Sequence, residues 1–160
     1  MQCARLTACS AWILFKGKDG LLMINEDIID TMVRAAMKAM DNAYVPYSKV
    51  PVGACVPASD GTLYTGVNIE NVIGRLSVAA TEVAMYRAVA DGKREFDGVV
   101  VIADVERPFA PNGAVLQLLA EFNVPEIIMA NMQGSIETAT LKELLPYARE
   151  PIENKIQVRD

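Results

Sequence analysis

Four residues in the middle of the chain, Asn68-Ile69-Glu70-Asn71, set an amide and a carboxylate two positions apart directly after the strand-like run 62–67. Such groups can accept hydrogen bonds from a hydroxyl, and an amide can also donate them. The same residues can instead cap a following helix or brace a loop, and both readings stand at this point. A second polar cluster, Thr81-Glu82, falls near the start of a predicted helix, and Asp104 and Glu106 occupy a loop before Pro111. Metal chemistry has little to draw on. The chain has no histidine, and its three cysteines are Cys3, Cys9 and Cys55. A hydrolytic metal site needs three protein donors gathered at one point, and these are mostly His nitrogen or Cys sulfur.

These residues sit in a longer ordered pattern. It runs through Ala43-Tyr44-Val45-Pro46-Tyr47-Ser48, Val50-Pro51-Val52-Gly53-Ala54 and Gly66-Val67-Asn68-Ile69-Glu70-Asn71. It continues with Tyr86-Arg87-Ala88-Val89, Pro111-Asn112-Gly113-Ala114-Val115-Leu116-Gln117, Leu119-Ala120-Glu121-Phe122 and Glu143-Leu144-Leu145-Pro146-Tyr147-Ala148. In this order the segments resemble the small, homotetrameric, zinc-dependent cytidine deaminases over roughly residues 23–148.

The resemblance implies that Asn68 and Glu70 bind ribose hydroxyls and that Ala80 also belongs to the nucleoside site. The family's first catalytic motif, Cys-Ala-Glu, falls on Ala79-Ala80-Thr81. The second, Pro-Cys-Gly-x-Cys-Arg-Gln, falls on Pro111 to Gln117, with Asn112 and Val115 at its cysteine positions. Family members hold zinc on three Cys or His ligands and shuttle protons through a glutamate that is not a ligand. Here Ala79 and Val115 cannot coordinate a metal, Asn112 is a poor zinc donor, and Thr81 is no carboxylate base. The arginines that flank the thiolates in the family correspond to Glu82 and Leu116. One residue along a helix is a rotation of about 100°, so Glu82 is expected to point away from the pocket.

The expectation is therefore a divergent member of pyrimidine metabolism without catalytic residues, metal or cofactor, acting as a nucleoside-binding or subunit-partner protein. It would form a homo-oligomer, dimer or tetramer, or assemble with an active paralogue. The alternatives are an enzyme with different, metal-free chemistry through Glu82, Thr81 or Asn112, and an active cytidine deaminase converting cytidine to uridine. The net charge of −5 supplies no basic footprint for nucleic acid or an anionic membrane. Three irregularly spaced cysteines make no disulfide framework and suit a reducing cytoplasm.

The expected organisation is an N-terminal extension over residues 1–22, one domain over 23–150 and a C-terminal tail over 151–160. In the extension, Ala11 to Phe15 is too short an apolar run to span a bilayer, and an extra strand there is the opposing reading. Asn25 can cap a helix whose apolar stripe is Ile28, Ile29, Met32, Val33, Ala36, Met37 and Met40. Strands are expected at 50–57 and 62–67 around the Asp60-Gly61 turn, and at 98–103 and 126–130. Helices are expected at 77–90, 112–122 and 141–148. This order predicts an α/β fold, a three-layer α/β/α sandwich with a mixed five-stranded sheet, which the resemblance also implies.

Overall fold

The computed structural model describes residues 13–17, 20–24 and 26–149, with side chains from residue 27. The proposed cap Asn25, Cys3, Cys9 and the tail 151–160 lie outside the described residues. Two strands, β1 (Ile13–Gly17) and β2 (Gly20–Ile24), pair antiparallel as a separate two-stranded sheet. Helix α1 follows at Glu26–Met40.

The main sheet is built from β3 (Val52–Pro57), β4 (Leu63–Val67), β5 (Val99–Ala103), β6 (Glu126–Asn131) and β7 (Ile136–Thr140), in the order β4-β3-β5-β6-β7. Only β5 and β6 run parallel; the other neighbours are antiparallel, so the sheet is mixed. Alternation along the strands separates two cores, because successive side chains point to opposite faces. Cys55, Val100, Ile102 and Ile128 meet Ile29, Met32, Ala36 and Met40 of α1 on one face. Val52, Ala54, Val99 and Val101 meet helix α2 (Ala80–Ala90) and helix α3 (Gly113–Glu121) on the other. The three-layer arrangement follows. Of the expected α1 stripe, Ile28 is the member left outside, 47 % exposed.

Two glycines set the spacing between layers. A Cβ on Gly53 would stand 2.1 Å from the Ala36 carbonyl oxygen, and one on Gly66 would stand 2.2 Å from that of Ala80. Without side chains there, α1 and α2 close directly onto the β3–β4 hairpin. The hairpin turns as its Asp-Gly pair predicts: Gly61 has φ +85, its N–H reaches the Ala58 carbonyl at 2.8 Å, and Asp60 Oδ1 accepts the Thr62 N–H at 3.0 Å. Lys93 also pairs with Asp60 at 2.5 Å. That contact foremost, with the Thr62 hydrogen bonds behind it, lowers the Asp60 carboxyl to about 2.

The expected fourth helix is cut short. Helix α4 spans Leu141–Leu144, not 141–148, because Pro146 has no N–H to continue it and forces Leu145 out of the helical region, to φ −138 and ψ 71. Thr140 starts this helix with a capping box, its Oγ1 accepting the Glu143 N–H at 3.3 Å while Glu143 accepts the Thr140 N–H at 2.7 Å. Beyond it, the Gln117 amide of α3 holds the main chain of Arg149 from both sides: Nε2 donates to the carbonyl and Oε1 accepts the N–H, each at 2.9 Å.

Candidate functional site

An open cleft of about 700 Å³ lies where the segment after β4 passes the N-terminal ends of α2 and α3. Its walls include Asn68, Glu70, Arg75, Ala79, Glu82 and Asn112. Gly66 seats the first turn of α2 against β4, so this edge of the cleft is fixed by the sheet.

Asn68 does structural work in the wall. Its Oδ1 accepts the Val52 N–H at 2.8 Å and its Nδ2 donates to the Val50 carbonyl at 3.0 Å, extending the pairing at the start of β3. One amide hydrogen and one lone pair remain for another partner. Glu70 gathers the 47–48 turn, accepting the Tyr47 N–H at 2.8 Å and the Ser48 N–H at 3.2 Å. The Ser48 side chain foremost, with these N–H groups, holds the Glu70 carboxyl below the usual carboxylate range. Both residues thus brace loops while facing the cleft. Ala80, the third residue expected in a nucleoside site, is 2 % exposed and contributes its side chain to the core, not to the cleft wall.

The orientation expected for Glu82 is corrected. Ala79, the N-cap of α2, has no side-chain acceptor, and only the returning half of a capping box forms: Glu82 accepts the Ala79 N–H at 2.7 Å. This bond folds the carboxylate back over the helix start and into the cleft wall, overriding the 100° rotation. Thr81 is 2 % exposed and packed inward. At α3, Asn112 Oδ1 accepts the N–H groups of Ala114 and Val115, each at 3.0 Å. Both helix ends are therefore partly satisfied by their own side chains. Asp104 and Glu106 are not in the cleft wall.

The residues present do not fit a catalytic zinc. Ala79 and Val115 offer carbon, Val115 is 2 % exposed, and the Asn112 oxygen is engaged twice. Among the described residues no three His, Cys, Asp or Glu side chains come together as a metal site. Cys55 lies against α1, on the sheet face away from α2, and burial pushes its thiol up to about 12. Leu116, which the resemblance sets at an arginine position, is 6 % exposed in the core, where an unpaired guanidinium would be costly.

Residues 6–112 match the family model described as the cytidine and deoxycytidylate deaminase zinc-binding region. The chain belongs to the cytidine and deoxycytidylate deaminase family. It is 43 % identical over 123 residues to a cytidine deaminase of Sporosarcina psychrophila, covering 75 % of this chain and 90 % of that protein. A cytidine deaminase of Halalkalibacterium halodurans is 38 % identical over 119 residues, covering 73 % of this chain and 90 % of that protein. The crystal structure of cytidine deaminase from Burkholderia pseudomallei superposes with TM-score 0.72 at 35 % identity, covering 75 % of this chain and 98 % of that one.

These relatives overturn the expectation of a non-catalytic nucleoside-binding or subunit-partner protein. Close and nearly full-length matches of this cytidine deaminase family member carry the name of the enzyme, and they support the active-deaminase alternative better. No helix among the described residues is long and apolar enough to cross a membrane.

Proposed function

We propose that this chain catalyses the hydrolytic deamination of a cytidine-type nucleoside, as a divergent family member that lacks the zinc donors and the glutamate at position 81. The observation that carries the reading is the 43 % identity to a cytidine deaminase over 90 % of that protein. The cleft supports it with two carboxylates, Glu70 and Glu82, in one wall. In this reading Glu70 and the free amide groups of Asn68 hold the ribose. The N–H of Ala80, at a helix start where such groups lack intrahelical acceptors, meets the base. In the reaction, water oxygen bonds to C4 of the base and the C4–N bond breaks, so cytidine and water give uridine and ammonia. In this reading Glu82 takes a proton from the water and returns it to the leaving nitrogen.

The unit responsible is the domain over residues 23–150, in a cytoplasmic homo-oligomer. Val72, Ile73 and Leu76 beside the cleft are 81 %, 52 % and 49 % exposed, an apolar strip suited to a second copy.

The test is uridine formation by the purified full chain, followed spectrophotometrically, with zinc measured on the same sample. Turnover with well under one zinc per chain, falling about 10²–10⁴-fold in Glu82→Gln, is expected. Absence of uridine overturns the activity, and one tightly held zinc per chain overturns the metal-free assignment.

A further inference from the structure

Glu126, the first residue of β6, is 9 % exposed, and its Oε2 finds no hydrogen-bond donor among the described residues. An oxygen so enclosed loses its hydration without replacement. Its strand partner is Thr140, the cap of α4, and that cap holds the Glu143 carboxylate through the Thr140 N–H and hydroxyl, each at 2.7 Å. The Leu141 N–H meets the carbonyl of Pro125, next to Glu126. Two carboxyl groups thus share the corner where β6, β7 and α4 join. Leu141, Leu144 and Leu145 from this corner pack against the same core as Leu116 and Leu119 of α3.

We propose that the Glu126 carboxyl makes the β6–β7–α4 corner a pH-sensitive joint, closed while the carboxyl carries its proton and loosened when it ionises. The charged group acting on it is Glu143 of α4. β5 and the residue before it bring Val99 and Gly98, β7 brings Thr140, and the segment after α3 brings Val124 and Pro125, none of which titrates. Burial, reinforced by Glu143, raises the Glu126 carboxyl to about 7. The folded protein then binds a proton that the unfolded chain has released, so stability from this group is present on the acid side and declines as pH rises through neutrality.

The test is thermal unfolding of the full chain between about pH 5.5 and about pH 8.5, with amide hydrogen exchange read over residues 136–145. The natural chain should lose melting temperature across neutrality while exchange in that segment quickens, and Glu126→Gln should remove both trends. Parallel profiles for the two proteins, or exchange in 136–145 that ignores pH, overturn the proposal. Should Glu126→Gln fail to fold, Glu143→Gln keeps the cap acceptor but removes the neighbouring charge. It should lower the pH midpoint of the transition, and an unmoved midpoint is equally fatal.

Discussion

Asn112 Oδ1 accepts the Val115 N–H at 3.0 Å, so the two residues that the resemblance sets at the cysteine positions of the second motif are bonded to one another. The bond closes the first turn of α3 and occupies the oxygen that would otherwise face the cleft. Asn112→Ala should cost about 1 kcal/mol of stability, the usual worth of an N-cap, whereas Asn112→Asp should be neutral or slightly stabilising at the positive helix end. Denaturant unfolding of the three proteins measures this, and an alanine variant as stable as the natural chain would refute it.

Placing sulfur at three positions should create a metal site. A variant carrying Ala79→Cys, Asn112→Cys and Val115→Cys is expected to retain about one zinc per chain after dialysis, since three thiolates at the facing helix starts make a catalytic-type ligand set. The natural chain, treated alike, should retain none. Atomic emission on both samples decides the matter, and equal zinc contents would show that the cleft geometry is misread.

Gly66→Ala should disturb the cleft from behind. The added methyl would lie 2.2 Å from the Ala80 carbonyl oxygen and 2.4 Å from the Ala84 nitrogen, both main-chain atoms that cannot step aside alone. Overpacking of this kind costs roughly 1–3 kcal/mol. Because α2 must lift, nucleoside binding should weaken as well, which calorimetric titration with cytidine measures. Unchanged melting and unchanged affinity would exclude the tight seating of α2.

Acid should open the β3–β4 turn through Asp60. Its folded carboxyl titrates at about 2 against an ordinary 3.8, so the stability it contributes is complete above the unfolded value and disappears as pH falls toward 2. Asp60→Asn should flatten this part of the acid limb while leaving behaviour near neutrality little altered. Circular dichroism melts from about pH 5 to about pH 2 compare the two.

The sheet was legible wherever burial leaves a mark on residue type. The apolar runs of β5 and β6 and the Asp60-Gly61 turn announce themselves, whereas β7 was missed because Ile136, Glu137 and Thr138 are exposed and no alternating pattern is imprinted on the segment. The shortened α4 could have been read from Pro146. Asn68 and Glu70, which line the cleft, were singled out through the family resemblance, but the placement of Glu82 was not legible. Helical periodicity alone points it outward; a glutamate three positions after a helix start is a capping signal that overrides periodicity. Glu126 left no signal, since a charged residue opening a strand reads as solvent-facing.

The two-way grip of Gln117 on Arg149 makes the far end of the chain part of the outer wall of α3. A truncation placed before residue 149 would strip both partners from that amide and leave it to water. Fusions and affinity tags are therefore best appended beyond this point, where they leave the seam undisturbed.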